Sequence, residues 1–496
     1  MDCNPGVVDA GGDNSSSSEG SESPELDRNP SPPPANEEAG EDADAIGDTV
    51  YSKHWLFSTL TRLIQMITKH AEEASEGPMD LSNDDEEDLC KLWDMAMDKA
   101  SLKNDVAGFL QEFRATDILL GVIAKSRCPR LTEICVGILG NIACFPETCL
   151  TLSQNEELGC VYSSFTELSF SPSLYPRVLL FFVHREVLLL LLGDTDPPTL
   201  LETCRLLLTC VSQKDVCSLW LERMQQQPSV CSNLCFIMRS STNTDLLEKV
   251  GELVDKAFDL DEGLMRSWVT PKSHPEAGNG ESCVDVASCL LEAGKQLRSE
   301  SPNGLEIYLH ILQLLTTITE GIQIFCAADG PGKAIWNFLC EVVCEGLCQT
   351  DDLPVVLQEQ RGILVQAFAV LQALYKCQDQ WSSKGDTSLT LIGRVLQVLH
   401  FHSEYKNTCT EEEYFKNEQL QTLAEISAEF LADISPDISK ELMAKLIKEG
   451  YLTEKTCLAA AESLYTSFAT SFQHLSLMLS EVDPGLSGKL KKHFPV

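Results

Sequence analysis

Residues 128–145, CPRLTEICVGILGNIACF, decide the fold. Pro129 opens the stretch and Glu133 follows four residues later, as at the start of an α-helix. Four apolar residues then recur at i, i+3, i+4 and i+7, which places them on one helical face. They are Cys135, Ile138, Leu139 and Ile142. We therefore predict an amphipathic helix whose buried stripe begins just after the glutamate.

The same pattern recurs at Pro198–Glu202, Thr244–Glu248 and Pro302–Glu306. The stripes that follow are Cys204, Leu207, Leu208 and Val211; Val250, Leu253, Val254 and Ala257; and Tyr308, Ile311, Leu312 and Leu315. A fifth, weaker copy at 353–376 contains Ile363, Leu364, Ala367, Phe368 and Leu371. One helix pair cannot bury such a face alone, whereas stacked copies can. We therefore predict an all-α fold, an armadillo/HEAT-like helical-repeat solenoid.

The spacing of the glutamates tests this prediction. Glu202 and Glu248 are 46 residues apart, within the ~40–47 of HEAT and armadillo repeats. Glu248 and Glu306 are 58 apart, and the polar segment SHPEAGNGES at 273–282 accounts for the surplus. Glu133 and Glu202 are 69 apart, which indicates an insertion between Gly159 and Asp194.

Composition divides the chain into four predicted parts. Residues 1–49 form a disordered acidic tail rich in Ser and Pro, because they carry too little apolar surface to fold. Residues 50–403 form the solenoid, 404–417 an exposed connection, and 418–496 a C-terminal helical group with a short tail. Helices are expected near 418–434, 436–448 and 453–482, with Thr116, Asp437 and Thr453 as candidate helix caps.

Within the solenoid we predict a loop at 272–283 and an atypical insertion at 160–187. The insertion enters an apolar run, 178–192, that is too short to span a membrane and carries His184, Arg185 and Glu186 in its middle. We expect exposed leucines here. Because an insertion in a connection adds mainly loop-closure entropy, we also expect it to be dispensable for folding.

The net charge of −38 restricts the partners. Residues 1–50 carry thirteen Asp and Glu against the single basic residue Arg28, and the rest of the excess is spread over the folded part. Such a surface repels nucleic-acid phosphates and anionic membranes. We predict protein partners, with no nucleic acid, no membrane and no small-molecule substrate.

The 21 cysteines do not indicate a disulfide scaffold. The N-terminus has neither a basic nor an apolar signal region, so we expect a reduced protein that is not secreted. Cys340, Cys344 and Cys348 share a helix face, but His400 and His402 do not complete the C-x₂₋₄-C pattern typical of zinc sites. Core packing is the better interpretation, and no metal site is predicted.

No sequence motif indicates catalysis. There is no phosphate loop, no GxSxG elbow and no paired-histidine metal motif. A cysteine–histidine pair brought together only by folding stays open, because such partners need not be neighbours in sequence. We predict no catalytic residues and no cofactor.

Four serines are candidate phosphorylation sites. Ser16 has Glu19 three residues on, Ser23 and Ser31 precede proline, and Ser82 precedes the acidic run 84–88. The alternative for the first three is a merely solubilising tail. The alternative for the acidic run is stabilisation of a helix N-terminus.

Asn141 resembles one rung of the asparagine ladder with which armadillo-type nuclear import receptors bind extended peptides. The equivalent positions are Cys210, Lys256 and Leu314, so the ladder is absent. We expect Asn141 to make a local capping or interhelical hydrogen bond.

Eight segments resemble the serum amyloid A-like protein 1 family, also named for synoviocyte proliferation. They are YSKHWLF, LCKLWDM, FLQEF, AKSRCPRLTEICVGILGN, DTDPPTLLETCRLLLTC, CFIMRSSTN, KVGELVDKAFDLDE and YLHILQLLTT. The resemblance covers most of 27–496 and departs before Asp27 and at 160–187. It implies a mainly nuclear protein that promotes proliferation of mesenchymal cells such as synovial fibroblasts, and it supplies no catalytic residues.

We therefore expect an interaction protein in cell-cycle control, located in the nucleus with or without a cytoplasmic pool. A transport-receptor-like carrier of protein cargo is the alternative. An unrecognised enzyme is the second alternative.

Overall fold

The computed structural model describes residues 52–72, 80–97, 106–154, 184–270, 285–346, 358–381 and 389–494. These ranges contain 24 α-helices and no β-strand. The predicted all-α class is confirmed. No single helix in these ranges is long and apolar enough to cross a bilayer, although one bent pair, Pro302–Thr316 with Thr319–Cys326, passes by length and composition.

The helices are numbered in chain order. The first eight are α1 Lys53–Glu72, α2 Asn83–Met95, α3 Val106–Glu112, α4 Ala115–Ile123, α5 Pro129–Ile142, α6 Pro146–Gln154, α7 His184–Leu190 and α8 Pro197–Ser212. The next nine are α9 Cys217–Gln226, α10 Pro228–Ser240, α11 Thr244–Leu260, α12 Glu262–Val269, α13 Val286–Leu297, α14 Pro302–Thr316, α15 Thr319–Cys326, α16 Gly332–Gly346 and α17 Arg361–Tyr375. The last seven are α18 Leu389–Thr408, α19 Glu411–Lys416, α20 Glu418–Ile434, α21 Lys440–Lys448, α22 Glu454–Ser467, α23 Ala469–Val482 and α24 Pro484–His493.

The middle of the chain is built from units of three helices, α9–α11, α12–α14 and α15–α17. Each unit opens with its shortest helix and closes with a helix of 15 or 17 residues. Helices in equivalent positions contact each other, with α9 on α12, α12 on α15, α10 on α13, α11 on α14 and α14 on α17. This serial packing is compatible with the predicted armadillo-like solenoid.

The long closing helices form one continuous row, here called the inner row: α5, α8, α11, α14, α17 and α20, each packed on the next. The apolar stripes predicted for α5, α8, α11 and α14 are buried, apart from the half-buried Leu208. In the fifth, weaker copy, α17 likewise buries all five predicted apolar residues.

Three inner-row helices begin at polar caps. The Asp196 carboxylate accepts the Thr199 backbone N–H at 3.0 Å, Asn243 accepts that of Leu246 at 2.9 Å, and Ser301 accepts that of Gly304 at 2.9 Å. Each cap satisfies a backbone donor that the helix itself leaves unpaired. These capping residues therefore mark the starts of α8, α11 and α14.

Glycine lets neighbouring inner-row helices approach closely. The buried ring of Tyr308 lies over Gly251, where an added Cβ would be 2.7 Å from the ring carbon Cε2. The Tyr308 hydroxyl also donates to the Leu247 carbonyl at 2.9 Å. The ring thus joins α14 to α11 only because Gly251 has no side chain.

Two of the three predicted caps are wrong. Thr116 lies buried inside α4, whose N-cap is Arg114 with φ 53°. Asp437 lies in a 3₁₀ turn and accepts the Tyr375 hydroxyl, while Ser439 caps α21. Thr453 caps α22, as predicted.

The helix predicted at 453–482 is two helices, α22 and α23, because the chain bends at Phe468. The one predicted at 436–448 begins later, at Lys440.

The predicted boundary at 404–417 is not visible in the packing. Residues 404–408 end α18, and most of the remainder forms α19. The following helix, α20, packs on α17 and so extends the inner row across the boundary. Its buried apolar stripe packs against the preceding inner-row helix, as the earlier stripes do.

The predicted tail 1–49 and the loop 272–283 lie outside the described residues, as does most of the insertion 160–187. The described end of the insertion belongs to α7, which begins at His184. Of the five leucines of the run that are described, Leu188, Leu189 and Leu192 are buried, Leu191 is half-buried and Leu190 is exposed. The expectation of exposed leucines therefore holds only for Leu190 among them. The α7 leucines pack against α4 and α10.

Candidate protein-binding surface

Five consecutive inner-row helices have no fully exposed side chain in their central turns. This holds for residues 131–142, 199–211, 246–258, 304–316 and 361–375. Their polar side chains are instead half-buried on one surface, here called the recessed face. Its principal members are Glu202, Arg205, Glu252, Asp255, His310, Gln313 and Gln372.

At the N-terminal end of this face, Asn141 joins three helices. Its buried amide nitrogen donates to the Trp93 carbonyl of α2 at 2.8 Å, and its oxygen accepts from Arg205 of α8 at 3.1 Å. Arg205 also donates to the Gly137 carbonyl at 3.3 Å and to Glu202 at 2.7 Å. We call this contact of α2, α5 and α8 the closed junction, because its polar groups bind one another.

This geometry confirms the interhelical role expected of Asn141. Both ends of its amide are engaged inside the protein, so it is not poised to bind a peptide. At the equivalent positions Cys210 is buried, Lys256 pairs with Asp259, and Leu314 packs against the core.

Charges in the middle of the face are coupled from helix to helix. Burial raises the pKa of Glu202, and Arg205 opposes that rise. His310 Nδ1 of α14 lies 2.6 Å from Asp255 Oδ1 of α11, and this hydrogen bond raises the pKa of His310. Burial also raises the pKa of Glu306, whose carboxylate lies against Gly362 of α17.

At the C-terminal end the helices leave a pocket of about 520 Å³ between α14, α15, α17 and α20. Gln372 of α17 donates to Asp433 at 3.1 Å and to Glu429 at 3.4 Å, and Lys376 lies 3.5 Å from Asp433. We call the contact of α14, α17 and α20 the open junction, because no described residue fills the solvent-open pocket beside it.

A cluster of aromatic rings supports the open junction. Trp336 of α16 is buried, with ring centroids 6.5 Å from Tyr375, 6.4 Å from Trp381 and 6.4 Å from Phe430. Aromatic pairs at such distances contribute stability beyond their burial. The helices that line the pocket, α17 and α20, are therefore joined by aromatic packing.

Of the four candidate phosphorylation sites, only Ser82 lies within the described residues. Ser82 caps α2, accepting the Asp85 backbone N–H at 3.2 Å and donating to the Asp85 carboxylate at 2.6 Å. Ser16, Ser23 and Ser31 lie outside the described residues. Modification of these serines stays a prediction.

The cysteines show no metal centre within the described ranges, where no three His, Cys, Asp or Glu side chains converge as ligands. Cys340 and Cys344 lie half-buried on α16, and Cys348 is outside those ranges. Cys204 lies in a buried stripe, and burial raises the pKa of its thiol to about 12. Such a thiol is a poor nucleophile and packs as an apolar side chain.

Sequence reasoning missed the pocket. Its wall includes Ala369 and Ala373, one turn apart on α17, beside Gln372 and opposite Glu429. Two small residues at i and i+4 on a half-buried face were the available signal. Only the packing of α14, α15 and α20 around them shows that the space stays open.

Comparison with known proteins identifies the family. The family model for the SAAL1 C-terminal domain matches residues 230–472. The chain is 52% identical over 481 residues to Protein saal1 of Danio rerio, covering 96% of this chain and 95% of that protein. It is 42% identical over 504 residues to Protein SAAL1 of Homo sapiens, covering 95% of this chain and 99% of that protein. These relatives confirm the resemblance found in the sequence, and the chain belongs to the SAAL1 family.

Proposed function

We propose that this chain is a non-enzymatic scaffold whose recessed face binds protein partners. The observation that carries the proposal is the continuity of that face over α5, α8, α11, α14 and α17, with half-buried polar side chains along its length. Stacked helical repeats supply extended binding surfaces of this kind. The net charge of −38 makes protein a better partner than nucleic acid.

Membership of the SAAL1 family adds the cellular setting to the proposal. The scaffold acts in the nucleus, with or without a cytoplasmic pool, and promotes proliferation of mesenchymal cells through cell-cycle control. The proposed role needs no catalysis, and the packing of the buried Cys204 thiol and the interhelical His310–Asp255 pair support it.

A complementation experiment tests the proposal in synovial fibroblasts depleted of their own family member. The recessed pair, Glu252→Arg with Gln313→Arg, changes half-buried residues of α11 and α14. The outer pair, Glu222→Arg with Gln226→Arg, makes the same two substitutions at exposed positions of α9. Both pairs add the same charge, so a difference in proliferation between them reports where on the protein the charge was added.

Wild type and the outer pair should restore proliferation, and the recessed pair should not. Thermal melting checks that both variants fold. If the recessed pair has a lowered melting temperature, the single variant Gln313→Arg replaces it. Full restoration by a folded recessed-face variant would refute the proposal.

A further inference from the structure

We propose that the pocket at the open junction binds an arginine side chain presented by a protein partner. The inference rests on the proposed function and adds the chemistry of the partner. Pockets of ~300–1,000 Å³ suit discrete ligand groups, and this one has a volume of about 520 Å³. It therefore has room for a long side chain and part of the flanking backbone.

Three helices end at the pocket. Thr316 is the last residue of α14, Cys326 is the last of α15, and Lys376 and Cys377 directly follow α17; all four line the wall. The C-terminal end of a helix carries a partial negative charge and favours cations. Three such ends around one cavity favour a cationic guest.

The charged side chains add to this preference. The Lys376 ammonium lies 3.5 Å from the Asp433 carboxylate. The Glu429 carboxylate accepts a hydrogen bond from the neutral amide of Gln372 at 3.4 Å. The wall itself carries one positive and one negative group, Lys376 and Glu429. Asp433 lies beside the wall and brings the net charge of the three groups to −1. A guest cation would pair with Glu429, as Lys376 pairs with Asp433.

The wall suits arginine in particular. The Glu429 carboxylate and the Gln372 amide oxygen are hydrogen-bond acceptors, and a guanidinium presents five N–H donors. Ile322, Ala369 and Ala373 form an apolar side of the wall, against which the aliphatic stem can pack. The protein's overall negative charge also draws a basic segment toward the pocket.

The test uses three fluorescein-labelled nonapeptides of glycine and serine that differ at the central residue: arginine, citrulline or glutamate. Citrulline keeps the shape of arginine and removes its charge. Binding to the full chain is followed by fluorescence anisotropy at two salt concentrations. We expect the arginine peptide to bind roughly three- to tenfold more tightly than the citrulline peptide, as for a charge-assisted contact at a partly exposed site.

Glu429→Gln should abolish this preference for arginine. Glu425→Gln is the matched control, because it removes the same charge one turn earlier on α20 at an exposed position outside the pocket. Ala373→Leu, which fills the pocket without changing charge, should also abolish the preference. An equal preference in wild type and Glu429→Gln, or tighter binding of the glutamate peptide through Lys376, would overturn the proposal.

Partner labelling separates this inference from the proposed function. If Glu429→Gln keeps every nuclear partner that the recessed pair loses, the pocket does not bind arginine but the recessed face still binds partners. If neither variant loses a partner, the proposed function fails as well.

Discussion

The two ends of the recessed face use similar side chains in opposite ways. At the closed junction the Asn141 amide is buried and bonded to both α2 and α8. At the open junction the Gln372 amide donates to the exposed Glu429 and the half-buried Asp433 beside a pocket of about 520 Å³. The comparison shows that a polar residue on an inner-row helix is structural where the next helix covers it. It borders a candidate binding site where a pocket is left beside the packed helices.

Replacing the two amides by leucine should give the largest contrast. Asn141→Leu should lower the free energy of unfolding by about 2–3 kcal/mol, because it leaves the Trp93 carbonyl without its side-chain donor and removes one of the three acceptors of the Arg205 guanidinium. Gln372→Leu should change it by about 0.5 kcal/mol or less, since its carboxylate partners remain hydrated. Urea unfolding of both variants measures the difference, and equal losses would remove the distinction between the junctions.

Two glycines sharpen the same comparison. Gly251→Ala should lower the free energy of unfolding by about 1–2 kcal/mol, because the added Cβ meets the buried Tyr308 ring. Gly362→Ala meets only the Glu306 carboxylate, the end of a flexible side chain that can turn away. There the better helix propensity of alanine should leave stability unchanged or raise it by up to ~1 kcal/mol.

Gly121→Ala is a control for helix propensity alone, because no atom lies within 4 Å of the added Cβ. It should stabilise the chain. A Gly251→Ala variant as stable as Gly121→Ala would show that α11 and α14 are not closely packed.

The His310–Asp255 pair gives a smaller, pH-dependent effect between the two ends. Because the folded pKa of His310 is raised, its contribution to stability is complete below its ordinary value of 6.5 and is lost as pH rises through the raised pKa. His310→Gln should therefore flatten the fall in unfolding free energy over this window. Asp255→Asn should flatten it too, and an unchanged slope in both variants would refute the assignment.

The smallest effect is expected from shortening the connection between α6 and α7. Deleting 160–173, about half of the residues between Gln154 and His184, should change the free energy of unfolding by no more than about 0.6 kcal/mol, the cost of a twofold change in the length of a connection. Leu189→Ala, in the buried stripe of α7, should be clearly destabilising. A deletion as damaging as Leu189→Ala would place part of this segment in the core.

Periodicity predicted the inner row because burial on one side of a helix leaves its mark every three to four residues. The stripes that begin at Cys135, Val250 and Tyr308 could therefore be assigned from the sequence alone. The extra residues at 273–282, before α13, could be assigned in the same way. The start of α4 could not. Its N-cap, Arg114, has a left-handed backbone and makes no side-chain capping bond, whereas Thr116 only looks like a cap.

The candidate site was less accessible to sequence reasoning. The roles of Arg205 and Glu429 depend on neighbours 64 and 57 residues away, Asn141 and Gln372. No periodic pattern encodes such pairs. The sequence did place α20 correctly at 418–434. The pocket, however, depends on where α14, α15 and α17 end and on how α20 packs beside them, and no periodic pattern encodes that packing.

The most direct test of the recessed face is proximity labelling in nuclei with three chains: wild type, the recessed pair and the outer pair. A labelling enzyme fused to each chain, expressed at equal levels, marks neighbouring proteins for quantitative mass spectrometry. The account predicts one set of proteins enriched by wild type and the outer pair and lost from the recessed pair. Equal enrichment by all three chains would contradict it, as would loss from the outer pair alone.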